Sequence, residues 1–122
     1  MAKSILIVDD SPAIRKATRN YFEAQSEFEV CGEAVDGVDA LEKARQLHPD
    51  LIILDLQMPR MNGLQAAREL KSILPVPIIL FTMYADLVDH ATASSAGISA
   101  VVSKLDDLSV LAQRAESLLV AQ

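Results

Sequence analysis

The sequence predicts an α/β domain: a doubly wound, five-stranded parallel sheet of order 2-1-3-4-5 between two layers of helices. Three observations carry that prediction. Short, wholly apolar runs (Ile5–Val8, Leu51–Leu54, Ile78–Phe81) are the mark of strands buried on both faces. Strand and helix patterns alternate five times along 122 residues, which implies parallel pairing through crossover helices. An eight-stranded barrel would need roughly twice this length. Finally, 51% of the residues are hydrophobic but only 4% aromatic, with no Trp, so the core is aliphatic.

Each element has its own signal. Ile5–Val8 is the first strand and ends in acids. Ser11-Pro12 then supplies an N-cap with proline at the first helical position, and Ile14, Ala17, Tyr21 and Phe22 recur at helical spacing. Phe28, Val30, Gly32 and Ala34 alternate with Glu27, Glu29, Cys31 and Glu33, which predicts an edge strand with one wet face. Val38, Leu41, Ala44 and Leu47 mark the second helix, stopped by His48-Pro49. Leu51–Leu54 is the third strand. A loop over Leu56–Asn62 leads through Gly63 to a helix carried by Leu64, Ala67, Leu70 and Leu74. Pro75 and Pro77 fence off the fourth strand, Ile78–Phe81. A helix from Asp86 to Ala96 is predicted on a thin stripe of Leu87, Val88 and Ala91, closed by Gly97. Ser99–Ser103 is the fifth strand. Leu108, Leu111, Ala112, Ala115, Leu118 and Leu119 complete the last helix.

Composition excludes several classes of function. Eleven basic against seventeen acidic residues give a net charge of −6, which repels a polyphosphate backbone, so direct nucleic-acid binding is not expected. The dearth of aromatics removes a stacking platform for single strands. The apolar runs, Leu118–Ala121 included, are four residues each against the roughly 20 a membrane span needs. Met1-Ala2-Lys3-Ser4 reaches Asp9 too soon for a signal peptide. The lone Cys31 has no internal disulfide partner and fits a reducing compartment. The expectation is one cytoplasmic domain over residues 1–122.

Ligands of doubly wound sheets bind outside the carboxyl ends of the strands, where the strand order reverses. Here those ends are Asp9 and Asp10 on strand one, Asp55 on strand three, Thr82 on strand four and Lys104 on strand five. Two carboxylates 4 Å apart repel by about 4 kcal/mol at an effective dielectric near 20, so the cluster calls for a cation. All-oxygen donors favour Mg²⁺, with Mn²⁺ as the alternative, over zinc. A divalent ion beside a carboxylate, with a hydroxyl and an ammonium near it, is equipment for moving a phosphoryl group.

With these residues in place, the chain resembles the receiver domain of two-component response regulators, of the single-domain, chemotaxis-regulator-like kind with a flavodoxin-like three-layer sandwich. The resemblance rests on Asp9-Asp10, on Leu54-Asp55-Leu56-Gln57-Met58-Pro59 followed by Gly63, and on Thr82, Gly97 and Lys104. It implies that Asp55 accepts a phosphoryl group from a histidine kinase, a phosphotransfer protein or a small phosphodonor. It implies that Asp10, Asp55 and the backbone carbonyl of Gln57 ligate Mg²⁺ with Asp9 assisting, and that Thr82 and Lys104 contact the phosphoryl oxygens. The expected output is a changed surface over the fourth helix, fifth strand and fifth helix, read by a downstream protein of unknown identity or by a second copy in a phosphorylation-promoted homodimer. Lys104 is expected to pair with the Asp55 carboxylate at rest and with a phosphoryl oxygen after transfer, so Lys104→Ala should leave the fold and Mg²⁺ binding largely intact while uncoupling phosphorylation from conformational change.

Departures from the family pattern bear on that output. Leu105 stands where proline commonly follows the lysine, and Val101 stands where many receivers carry an aromatic. Met83 stands where the residue after the threonine is often small, and with Tyr84 it is expected to narrow access to the site. The bland readings are loop-shaping for Met58-Pro59, backbone geometry for Gly63 and Gly97, apolar filling for Cys31, and solvation for His48 and His90. Three other functions compete. A pseudo-receiver would bind partners without phosphorylation. A flavin carrier would want Ser, Thr and Gly after strand one, where Asp9-Asp10-Ser11-Pro12 repels phosphate. A metal-dependent phosphatase would want a lid and a substrate pocket.

Overall fold

The computed structural model describes residues 2–120. The outermost predicted limits, Met1 and Gln122, and the end of the Leu118–Ala121 run lie outside them. Strands β1 (Lys3–Val8), β2 (Phe28–Ala34), β3 (Leu51–Leu54), β4 (Ile78–Thr82) and β5 (Ala100–Ser103) form one parallel sheet of order 2-1-3-4-5. Helices α1 (Pro12–Glu23), α2 (Gly37–Leu47), α3 (Gly63–Ile73), α4 (His90–Ser95) and α5 (Leu108–Val120) connect and follow them.

The apolar runs split by parity, as strand geometry requires. Leu6, Val8, Ile52, Leu54, Ile78 and Leu80 pack toward α2, α3 and α4 through Ala40, Ala44, Ala67, Leu70 and Ala93. Their neighbours Ile5, Ile7, Leu51, Ile53, Ile79 and Phe81 pack toward α1 and α5 through Phe22, Leu111 and Ala115. Both faces are therefore covered. Each fully buried Ile or Leu contributes roughly 1.5–3 kcal/mol, so the central strands are the rigid part of the molecule. Phe22 and Phe28 add an edge-to-face pair at 5.0 Å.

Two elements depart from the predicted pattern. The alternation of β2 does not run through: pairing with β1 steps from Val30 opposite Ile5 to Gly32 opposite Leu6, so Cys31 is an extra residue, a β-bulge. The bulge turns the strand over. Phe28 and Val30 join the α1/α5 layer, while Ala34 belongs to the opposite layer, against which Cys31 packs. A Cβ at Gly32 would lie 2.6 Å from the Leu47 side chain.

The helix predicted from Asp86 to Ala96 is a 3₁₀ turn, Ala85–Leu87, followed by α4 of only six residues. Asp89 divides the two because its carboxylate caps the Ala91 and Thr92 amides and accepts from the Thr92 hydroxyl at 2.7 Å. Leu87 is consequently 80% exposed, and Ala93 and Ala96 take over the burial. Elsewhere single positions of the predicted helical stripes differ: Thr18 rather than Ala17 is buried in α1, and Ala40 rather than Val38 in α2, where Leu41 and Ala44 are buried as predicted.

Candidate functional site

The register of the sheet brings the predicted residues to one rim. Val8 pairs with Leu54, so Asp9 and Asp55 emerge side by side, and the Asp55 amide donates to the Val8 carbonyl at 2.9 Å. Thr82 pairs with Ser103, and the Lys104 amide donates to the Thr82 carbonyl at 2.9 Å. Asp9, Asp10 and Asp55 each offer a carboxylate oxygen, all within 4.8 Å of one another. Asp9 and Asp55 are buried, at 2% and 7% exposure, and Asp10 faces solvent.

Lys104 holds the two buried acids. Its Nζ lies 2.7 Å from Asp9 Oδ2 and 3.2 Å from Asp55 Oδ1, with the side chain 8% exposed. Backbone donors hold the other edges: the Ser11 amide on Asp9 Oδ1 and the Leu56 amide on Asp55 Oδ1, both at 2.9 Å. Burial pushes the Asp55 carboxyl above the ordinary carboxylate value, the Asp9 charge adds to the rise, and Lys104 offsets only part of it. Burial pulls the Lys104 ammonium down, but Asp9 and then Asp55 outweigh it and its pKa is raised. A site in which an ammonium cannot fully neutralise its carboxylates is electrostatically ready for a second cation.

The open side is a cleft of about 430 Å³ lined by Asp10, Asp55, Gln57, Met58, Pro59 and Lys104, with Met83 and Tyr84 forming one wall. Gly63 makes the floor possible. Its amide donates to the Leu56 carbonyl at 2.7 Å, and a Cβ there would collide with the Asp55 carbonyl oxygen. Asn62 and Gln65 form a capping box that starts α3 immediately behind it.

Thr82 stands apart from this group. It is fully buried, its Oγ1 accepts from the Tyr84 amide at 3.0 Å, and it does not line the cleft. Arg15, which no motif marks, also braces the site: its Nη1 donates to the Asp9 carbonyl at 2.8 Å while its Nε binds Glu33 at 2.9 Å. Its spacing of six residues from Asp9, on the first turn of α1, was the available signal.

The donor set of three carboxylates is hard, oxygen-only and open to water on one side, which fits Mg²⁺ or Mn²⁺. The arrangement has known parallels. The sequence profile of the response regulator receiver domain matches residues 5–116. A protein-glutamate methylesterase/protein-glutamine glutaminase of Pyrococcus horikoshii is 45% identical over 78 residues, 64% of this chain and 21% of the relative. The chain thus spans about a fifth of the length of that curated relative. The response regulator domain of Thermotoga maritima CheB superposes with a TM-score of 0.91 at 25% identity, covering 98% of this chain and 97% of that one. A chain of the CheX–CheY–BeF3–Mg²⁺ complex of Borrelia burgdorferi gives a TM-score of 0.85 at 25% identity, over 94% of this chain and 87% of that one.

Proposed function

The chain belongs to the response regulator receiver domain family, and from that membership we propose that it is a phosphorylation-controlled switch whose phosphoacceptor is Asp55. The observation that carries this reading is the buried Asp9–Lys104–Asp55 triad opening onto a cleft lined by Asp10 and Gln57. We take residues 1–122 as one functional unit, working in the cytoplasm.

Asp10, Asp55 and the Gln57 carbonyl would hold Mg²⁺, with Asp9 assisting; when bound, the ion would neutralise charge on the transferring oxygens. The chain's own residues do the rest. An Asp55 oxygen attacks the phosphorus of a phosphohistidine or an acyl phosphate; the new P–O bond forms as the donor's P–N or P–O bond breaks. The sheet holds Asp55 rigidly, so little orientation remains to be found. Lys104 turns from the Asp55 carboxylate to a phosphoryl oxygen. Thr82 reaches the phosphoryl group by rotating away from the Tyr84 amide, and that rotation links the chemistry to the Met83-Tyr84 wall and the 3₁₀ turn behind it. The donor is a histidine kinase or phosphotransfer protein, and the reader is a downstream protein or a second copy of the chain.

With acetyl phosphate and Mg²⁺, the protein should gain one phosphoryl group, measured as an intact mass increase that hydroxylamine reverses and chelation prevents. A chain that labels equally in the presence of a chelator would overturn the cation's part.

The output should appear as a changed surface between Asp86 and Ala115. Within it the 3₁₀ turn and six-residue α4 are loosely packed, with Ala93 the one buried residue of the two and Leu87 80% exposed. Amide exchange with and without beryllium fluoride should differ through α4, β5 and the start of α5. Differences confined to the neighbourhood of Asp9, Asp10 and Asp55 would sink this route.

A further inference from the structure

The β3–α3 loop, residues 56–62, runs past the first turn of α2 and is anchored there by an ion pair of fork geometry. Arg60 Nε donates to Asp36 Oδ2 at 2.7 Å and Nη2 to Oδ1 at 3.0 Å. Such two-point, charge-assisted pairs fix direction as well as distance. Asp36 is 4% exposed and also caps α2, accepting from the Asp39 amide at 2.8 Å. One buried carboxylate therefore ties a helix end to the loop.

The backbone says the same. Arg60 sits at φ 65°, the left-handed region, and the Met61 amide folds back onto the Pro59 carbonyl at 2.7 Å. A glycine would adopt that conformation without strain. An arginine there persists only where its surroundings over-determine it. The packing is close as well: a Cβ on Gly37 would lie 2.7 Å from both the Met61 Cβ and the Met61 carbonyl oxygen. The loop is thus pinned at its base by Gly63 and at its tip by Arg60, with Gln57, Met58 and Pro59 between, on the wall of the cleft.

We propose that the Asp36–Arg60 pair is a latch that sets the position of the Gln57 carbonyl for a divalent cation bound at Asp10 and Asp55. The proposal rests on the reading of Gln57 as a cation ligand. Asp36 and Arg60 are positioning residues, since neither lines the cleft. Mg²⁺ demands near-octahedral geometry, so one oxygen on a loose loop weakens the whole set. Loss of an outer partner of a metal ligand typically costs 10- to 100-fold in affinity, and here the effect falls near the low end because Asp10 and Asp55 sit at strand ends.

The test is a calorimetric Mg²⁺ titration of the parent, Arg60→Gly, Asp36→Asn and the double variant, with a melting curve for each. Arg60→Gly keeps the turn and removes the guanidinium; Asp36→Asn keeps the Oδ1 cap acceptor and removes the charge. Each single variant should weaken Mg²⁺ binding by about 10-fold, the low end of the range expected of an outer partner. The double variant should be no weaker than the worse single one, and Arg60→Lys should recover part of the loss. Unchanged affinity in variants of a Mg²⁺-binding parent overturns the latch alone. So do losses that multiply in the double variant, because independent residues are not a latch. A parent that binds no Mg²⁺ overturns the ligand reading, and with it the latch's purpose.

Discussion

Asp55→Asn is expected to abolish phosphoryl uptake from acetyl phosphate and Mg²⁺ and, at neutral pH without metal, to raise the melting temperature. The first effect is chemical, since the amide offers no anionic oxygen to attack phosphorus. The second follows from the site's electrostatics. Burial and the Asp9 charge push the Asp55 carboxyl above its ordinary value despite Lys104. A raised acid means that the folded state holds the proton more tightly than the unfolded one. Stability then falls as pH rises from the ordinary carboxylate value through the folded one, and ionised Asp55 is a net cost at neutral pH. Two carboxylates about 5 Å apart repel by about 3 kcal/mol at an effective dielectric near 20, and Lys104 at 3.2 Å attracts Asp55 by about 5 kcal/mol on the same scale, so the net cost is set by burial. Relief on the order of 1 kcal/mol corresponds to ~4 °C for a domain of this size. Mass spectrometry and thermal melts in a chelator read both effects. Undiminished labelling of the variant would remove Asp55 from its role.

The fold was legible because parallel strands covered on both faces must be apolar throughout. Ile5–Val8, Leu51–Leu54 and Ile78–Phe81 are too short for helices and too apolar for a wet face, and the acids ending the first two mark the rim. The cluster of Asp9, Asp10, Asp55 and Lys104 was legible for the same reason, since a parallel register lines up strand ends. What escaped depends on single backbone choices. Strict alternation in β2 hid the bulge at Cys31, because Glu33 and Ala34 suit either face until Arg15 and Arg19 claim Glu33. Helical periodicity across Asp86–Ala96 ignored that Asp89, with Thr92 three residues on, caps a helix better than it continues one. Positive φ on Arg60 has no sequence mark, so its pairing with Asp36 appears only in three dimensions. The same holds for the Thr82 hydroxyl, which a sequence places at the rim and the structure turns onto the Tyr84 amide.

Lys104→Ala is the substitution whose expected effect the structure changes most. Read as a strand-end lysine, it is dispensable for folding; in the structure it is the counter-ion of two acids whose side chains are 3% and 9% exposed. Removing one partner of a buried ion pair typically costs 3–5 kcal/mol, because the charge left behind is neither solvated nor paired. The cleft lets water reach part of Asp55, so a loss of about 3 kcal/mol is expected in a chelator. Mg²⁺ should change that result more in the variant than in the parent, since the ion becomes the cluster's only cation. A ligand present at 100 times its dissociation constant adds about 2.7 kcal/mol, enough to recover most of the loss. Urea unfolding of both chains, with and without saturating Mg²⁺, measures the four stabilities that close this cycle. Equal Mg²⁺ increments in the two chains would mean that Lys104 and the cation do not share the carboxylates, and a variant as stable as the parent in chelator would mean that Lys104 is no counter-ion.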